Sequence, residues 1–248
     1  MVIDARTTVW LSASASFRGT ALSRPHIVVL VTCGLFQPAG PKEAFTRRQL
    51  AFVYGTLKRG FGNYWLMEDM VQQGTAHFLG TARTQHRYPL VCGPFQVPFM
   101  LNNRDEGHHV KGEVYSISNA GVERLDELEG VDKGHYKRLA IALRDLHVTA
   151  SELHPEEERL VAAAEAQAYF AYPSYSDSMA AATDEHIDAY TEREAATYIK
   201  RSERPGNKTF LEHVQCWIEE RCDDLSDGDS ELVQVCRVVS REEREGRE

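Results

Sequence analysis

The sequence lacks long apolar runs, paired cysteines and an excess of basic residues. Its apolar stretch at residues 27–36 is too short to cross a bilayer, which takes about 20 residues. The five cysteines are scattered, odd in number and without any Cys-x-x-Cys, so neither a disulfide framework nor a zinc site is indicated. A net charge of −9 argues against sequence-independent nucleic-acid binding, which needs clustered lysine and arginine. We therefore expect no membrane, nucleic-acid or metal partner, and a reducing, cytoplasmic location.

The composition favours one globular domain with appendages. With 248 residues, of which 42% are hydrophobic and 26% charged, the chain can bury one good core. Residues 1–49 differ from the rest because they are basic, rich in serine and poor in acidic residues. That pattern is typical of a transit peptide, which would imply a mitochondrial location; a disordered extension or a start codon assigned too far upstream would also produce it. We place this segment outside the fold.

A strand followed by a glycine turn is the most informative local feature. The apolar run at residues 50–54 stops at Gly55, which predicts a buried strand entering a tight turn. If Gly55 adopts a positive φ, successive backbone N–H groups can point at one carboxylate or phosphate. The turn is not a Walker A loop, because Phe61 and Gly62 stand where lysine and serine or threonine would be needed. An ordinary strand exit is the alternative interpretation.

A helix predicted over residues 119–129 carries the best candidate acid. Asn119 is positioned to cap it, and Gly130 to end it in a left-handed conformation. At about 100° per residue, Glu129 lies close to the buried face of this helix, whereas Glu127 points away. The helix dipole and partial burial should both raise the pKa of Glu129, as a general base working near neutral pH requires. A solvated residue at the end of a helix is the alternative.

The rest of the chain reads as alternating strands and helices. A further helix is expected at residues 64–71, a hairpin turn at 102–109, a surface connection that is in part helical at 144–165, and strands at 77–80, 97–101, 110–117, 135–143 and 166–172. His108 and His109 are neighbours on an extended segment and would point to opposite faces, so they should not share a metal ion. Beyond residue 173 we expect helices at 184–199 and 208–222, then a disordered charged tail at 240–248.

Five short motifs occur in a characteristic order. They are YGTLKRG at 54–60 followed by Asn63, YPLV at 88–91, GEVY at 112–115, LDELE at 125–129 and YKR at 136–138. In order and spacing they resemble the γ-glutamylamine cyclotransferase family, over residues 51–172. The resemblance implies an α/β (α+β) fold, with a small, mixed, barrel-like sheet and flanking helices. It also implies a metal-free and cofactor-free enzyme that cyclises γ-glutamyl amines, such as γ-glutamyl-ε-lysine, to 5-oxoproline and a free amine.

The same resemblance assigns roles to particular residues. Tyr54, Gly55, Thr56 and Leu57 would bind the glutamyl head, chiefly through backbone N–H groups, and Glu129 would be the general acid/base. The last two residues that it suggests for the substrate pocket are Tyr136 and Tyr172. Residues 50–173 would then form the catalytic domain, and residues 174–239 a helical extension packed on it, where the chain departs from the small family members.

Two alternatives to this function stay open at this point. One is a γ-glutamylcyclotransferase that acts on γ-glutamyl amino acids or glutathione. The other is a non-catalytic binding module that keeps the pocket, although the presence of Glu129 argues against it. The expected partner in each case is a small γ-glutamyl molecule, and the sequence does not indicate an oligomeric state.

Overall fold

The computed structural model describes residues 47–225, in which five strands close into a barrel. The strands of the described region are β1 Arg48–Val53, β2 Ala76–Thr84, β3 Leu90–Cys92, β4 Pro98–Met100, β5 Lys111–Ser118, β6 Tyr136–Val148 and β7 Glu165–Ala171. The barrel order is β1-β5-β2-β6-β7, while β3 and β4 form a separate two-stranded sheet. All neighbouring pairs are antiparallel except β1 with β7, so the sheet is mixed. The predicted fold class is confirmed.

Helices lie outside this barrel. In the described region they are α1 Tyr64–Gln72, α2 Asn119–Glu129, α3 Pro155–Ala163, α4 Pro173–Ala181, the single turn α5 Glu192–Ala195, and α6 Phe210–Leu225. Three 3-10 turns accompany them at Pro94–Gln96, Val131–Lys133 and Arg201–Glu203. None of the helices described between residues 47 and 225 has the length and apolar character needed to cross a membrane.

Two apolar clusters divide the core, because successive residues of a strand point to opposite faces. Phe52 of β1 and Phe170 of β7 belong to a cluster drawn mostly from strands, which fills the barrel interior. Val53 and Tyr169 face the other way and join a cluster that includes buried residues of α1, α2, α4 and α6. Helices α1, α2, α4 and α6 therefore cover the outer face of the barrel wall that carries Val53 and Tyr169.

Helix α2 follows β5 without a loop. Its N-cap is Ser118, whose side chain accepts a hydrogen bond from the Gly121 N–H at 3.3 Å, so the prediction of Asn119 as the cap was wrong by one residue. Gly130 ends the helix with φ 63°, in the left-handed conformation that was predicted for it. Both ends of the helix that carries Glu129 are therefore held by local interactions.

Several predicted boundaries differ from the structure. β1 begins at Arg48 rather than at residue 50, because Arg48 and Gln49 pair with Ser118 and Ile117 of β5. Residues 102–109 are not a hairpin turn, since β4 pairs with β3 and β5 pairs with β1 and β2. The connection at 144–165 contains α3, as its expected helical part, but its first residues continue β6 to Val148. Most of the segment 1–49 and all of the tail 240–248 lie outside the described residues.

The helix expected at residues 184–199 is absent apart from the four residues of α5. Backbone hydrogen bonds explain the difference, because this segment bonds to the edge of the fold instead of to itself. The Ile187 N–H donates to the Leu90 carbonyl at 2.9 Å, and the Lys111 N–H donates to the Asp188 carbonyl at 2.8 Å. Such tertiary pairing satisfies the same backbone groups that a helix would use.

The C-terminal helices pack against the covered face of the barrel. Val214 and Ile218 of α6 and Met179 of α4 are buried in the outer cluster. At the start of α6, the Phe210 ring lies 6.0 Å from the Phe99 ring, measured between centroids. The described part of the extension beyond residue 173 therefore shares a core with the barrel.

We expect Ile218→Ala to lower the free energy of unfolding by about 2–4 kcal/mol, because it removes buried methyl groups from the shared core. Denaturant unfolding measures the change. Glu220→Ala, on an exposed position of the same helix, should change it by less than about 0.5 kcal/mol. Equal stability of both variants would show that α6 does not contribute to a core shared with the barrel.

Candidate active site

A cavity of about 470 Å³ opens between the turn after β1, the end of α2 and the segment that leads into α6. That volume is within the range of small-molecule binding sites. The predicted residues Tyr54, Gly55, Thr56, Leu57, Glu129 and Tyr136 line it together. The structure thus brings together side chains and backbone from three separate motifs of the sequence.

Gly55 does not have the positive φ that was expected of it. Glycine is needed here for a different reason, which is the close approach of β4. A Cβ atom on residue 55 would lie 2.6 Å from Pro98 Cγ, too close for any real contact. The turn therefore depends on the missing side chain of Gly55, and Pro98 forms the wall against which the turn is held.

The turn presents a row of unused backbone N–H groups. Its carbonyls are occupied: Gly55 O accepts from the Lys58 N–H at 3.1 Å, and Thr56 O accepts from the Asn63 N–H at 2.9 Å. By contrast, the N–H groups of Gly55, Thr56 and Leu57 donate to no acceptor within residues 47–225. Three consecutive N–H groups without an acceptor, on residues that line a cavity, are donors available to a bound anion.

Glu129 is partly buried and lines the same cavity. Burial raises the pKa of its carboxyl group from 4.5 to about 7. Within the described chain, no lysine, arginine or histidine forms an ion pair with it. The carboxyl group can therefore exist in both protonation states near neutral pH, as a group that takes up and returns a proton must.

Three tyrosines form the wall around Glu129. Their hydroxyl groups are already engaged as donors, Tyr54 to the Tyr169 carbonyl at 2.6 Å, Tyr136 to the Pro98 carbonyl at 3.2 Å, and Tyr169 to Asp126 Oδ1 at 2.7 Å. Burial raises the pKa of all three hydroxyls, and the charge of Glu129 raises it further. They remain neutral and position the wall, while Glu129 carries the charge.

Tyr172 is not among the residues that line the cavity. Strand β7 ends at Ala171, and Tyr172 is the flanking residue before α4, with its ring next to Gly134. The residue of β7 that lines the cavity is Tyr169. Side chains alternate between the two faces of a strand, so Tyr169 and Ala171 share one face of β7. This alternation could have indicated Tyr169 as the tyrosine of β7 that faces the cavity.

His135 is a cavity residue for which the sequence offers no signal. It comes directly before Tyr136, and its ring lies 4.4 Å from the Phe210 ring, between centroids. Burial, together with the positive charges of Arg201 and Lys133, lowers the pKa of its imidazole. His135 is therefore neutral at pH 7 and is a second group that could accept a proton.

Basic residues from beyond α5 complete the lining. Arg201, Arg204 and Lys208 all belong to the segment before α6, and His213 follows in the first turns of that helix. No sequence period marks them, because the segment is irregular and charged residues in such segments are ordinarily solvated. Only the docking of α6 on the outer cluster brings them to the cavity.

Comparison with known proteins gives consistent similarities. The family model described as gamma-glutamyl cyclotransferase, AIG2-like, matches residues 51–192, so the family pattern continues past residue 173, where we had expected it to end. A protein of Arabidopsis thaliana is 43% identical over 175 residues, which are 70% of this chain and 94% of that protein. It is named as a gamma-glutamylcyclotransferase by inference. The gamma-glutamylaminecyclotransferase of Bos taurus is 40% identical over 108 residues, 43% of this chain and 64% of that protein.

Among solved structures, the crystal structure of an AIG2-like protein from Mus musculus aligns with a TM-score of 0.49. Its sequence identity is 24%, and the alignment covers 66% of this chain and 99% of that one.

We expect Gly55→Ala to destabilise the protein by about 1–3 kcal/mol, because the new methyl group overlaps Pro98. The loss should be smaller in a Pro98→Ala background, where the nearest remaining atom, Cβ of residue 98, lies 3.5 Å away. Denaturant unfolding of the double-mutant cycle measures the coupling. Gly206→Ala is the control, since a Cβ atom there meets nothing within 4 Å. Purely additive effects would mean that Pro98 is not what excludes a side chain at residue 55.

The raised pKa of Glu129 should make stability depend on pH in a defined direction. Its folded pKa of about 7 lies above the unfolded 4.5, so the wild type loses stability as pH rises through this interval. Glu129→Gln cannot ionise and should be more stable than the wild type at pH 8.5, by about 1–2 kcal/mol after allowing for water in the cavity. The difference should vanish below about pH 4.5. Thermal melts of both proteins across this range test the sign, and a constant difference would contradict it.

Proposed function

Because the chain belongs to the gamma-glutamyl cyclotransferase, AIG2-like family, we propose that it is a γ-glutamylamine cyclotransferase that uses Glu129 as its general acid/base. An enzyme of the cyclotransferase type follows from the family. The substrate class and the roles of individual residues are the proposal, with γ-glutamyl-ε-lysine as the representative substrate and 5-oxoproline and the free amine as products.

The reaction needs no other reactant. The α-amino nitrogen attacks the γ-carbonyl carbon, a new C–N bond closes the five-membered ring, and the original amide C–N bond breaks. The α-amine attacks in its neutral form, so the attacking nitrogen loses one proton as the ring closes and the leaving amine gains one, and protons balance within the substrate and one relay group. Glu129 takes the first proton and supplies the second.

One observation carries this proposal: Glu129, with a pKa of about 7, lines the same cavity as the free N–H groups of Gly55, Thr56 and Leu57. The N–H groups suit the substrate α-carboxylate, and holding it would place the α-amine beside the γ-carbonyl. Positioning an intramolecular nucleophile is worth several kcal/mol, and proton transfer adds about 10²- to 10⁴-fold. Together these effects are sufficient for an amide that cyclises to a five-membered ring.

Two alternatives are weaker. A cyclotransferase for γ-glutamyl α-amino acids or glutathione would use the same head-group site and differ only in the leaving group, and the name of the Arabidopsis thaliana relative favours it. A binding module without catalysis would have no use for a buried carboxyl group that lacks a partner, since burying it lowers stability. Within the mechanism, His135 is the alternative proton acceptor.

We expect Glu129→Gln to reduce kcat for 5-oxoproline release from γ-glutamyl-ε-lysine by about 10²- to 10⁴-fold, with affinity changed only a few-fold. The amide keeps the shape of the side chain but cannot accept the proton. Glu127→Gln is the control, because Glu127 lies two residues away on the exposed side of α2. In the wild type, kcat/KM should rise with pH through an apparent pKa near 7. More than a tenth of wild-type turnover in Glu129→Gln, with a large loss in His135→Gln, would transfer the role to His135.

A further inference from the structure

The cavity has an excess of positive charge that the cyclisation does not use. Of the described residues that line it, only Glu129 is acidic, whereas Arg201, Arg204 and Lys208 are basic. The whole chain carries a net charge of −9, so a cationic lining runs against the overall composition. Charges of one sign in a concave site raise the local concentration of ligands of the opposite sign.

These basic groups are not neutralised by carboxylates in the described region. None of the three takes part in an ion pair there. Arg204 donates to the Ile199 carbonyl at 3.0 Å and to the Tyr198 hydroxyl at 3.4 Å, and Lys208 Nζ lies 2.8 Å from Cys216 Sγ. Arg204 therefore has neutral partners that hold it in place but leave its charge uncompensated.

Two acidic residues of α6, outside the cavity lining, act on Lys208. The contact with Cys216 is the main cause that raises the pKa of Lys208, and the charges of Glu220 and Glu212 raise it further. The Glu212 carboxylate is already occupied, because it accepts a hydrogen bond from the Thr209 N–H at 2.5 Å. Neither residue lines the cavity, so an anion inside it would meet the basic side chains first.

The basic residues border the proposed reaction site, and Arg204 donates to the Tyr198 hydroxyl, to which Asn63 beside the turn also donates. The charge of Arg201 acts on His135, and that of Arg204 acts on Tyr136, whose hydroxyl also responds to Glu129. In the proposed binding mode, the α-carboxylate of the glutamyl head already has the N–H groups of residues 55–57. The part of the substrate that is left for the basic residues to bind is the leaving amine.

Resting on the proposed function, we propose that Arg201, Arg204 and Lys208 form a specificity site for leaving amines that carry a carboxylate. Amines that carry only positive charge or no charge would then be poorer substrates. Arginine can bind a carboxylate through two parallel hydrogen bonds, and an exposed lysine adds a point charge. The substrate class is thus γ-glutamyl derivatives of amino acids, whether joined through an α-amine or through a side-chain amine.

Four synthetic substrates test this inference at two chain lengths. They are γ-glutamylglycine and γ-glutamyl-6-aminohexanoate, each paired with its neutral carboxamide. We expect the wild type to prefer acid over amide by about tenfold in kcat/KM for at least one pair, as two or three partly exposed charge contacts would give. Added salt should reduce this preference.

The double variant Arg201→Ala/Lys208→Ala should bring the acid-to-amide ratio to within about twofold of one. Lys200→Ala is the matched control, because Lys200 is exposed, basic and adjacent to Arg201 but does not line the cavity, and it should keep the wild-type ratio. Melting temperatures establish that each variant is folded. A wild-type ratio near one, or a ratio that survives in the double variant, would overturn the specificity site.

Failure of the proposed function would look different. In that case none of the four compounds would release 5-oxoproline from the wild type. Calorimetric binding of the same acid and amide pairs to Glu129→Gln then decides the inference by itself. Tighter binding of the acids, lost in the Arg201→Ala/Lys208→Ala background, supports it, and equal binding of acid and amide overturns it.

Discussion

Closure of the barrel through β1 is the constraint on which the rest of the structure depends. This strand pairs with β5 on one side and, in parallel, with β7 on the other, where Leu50 lies opposite Ala166. Because α2 follows β5 directly, the pairing brings the turn after β1 to the same cavity as the last turn of α2. Gly55 and Glu129 are 74 residues apart in the chain, yet they line one site as a consequence of this register.

Pro98 links the architecture of the site to its chemistry. Its ring occupies the space that a side chain on Gly55 would need, and its carbonyl accepts the hydrogen bond from the Tyr136 hydroxyl. The turn that offers free N–H groups and the wall that surrounds Glu129 therefore share one residue of a short two-stranded sheet. Groups held by rigid strands keep a defined geometry more closely than groups held by loops alone.

The cavity holds one acidic residue and a set of basic residues that form no ion pair with it in the described chain. Burial without a basic partner destabilises the charged form of Glu129, and this raises the pKa of its carboxyl group to near neutrality. The basic residues Arg201, Arg204 and Lys208 line the same cavity from the segment before α6, and none of them forms an ion pair with Glu129. If Arg201 or Lys208 paired with Glu129, its pKa would fall and a base working near pH 7 would be lost. Separation of the two sets of charges is what allows one cavity to perform both proposed tasks.

The sequence by itself determined the family, the mixed barrel with flanking helices, the capped helix that carries Glu129 and the turn at residues 54–57, because local patterns and ordered motifs encode these features. It was wrong about the conformation of Gly55, the pocket role of Tyr172 and the helix at residues 184–199. Those features are decided by contacts between segments far apart in the chain, such as Pro98 against Gly55. The basic lining was likewise invisible, since only the burial of α6 residues such as Ile218 brings that irregular segment to the cavity.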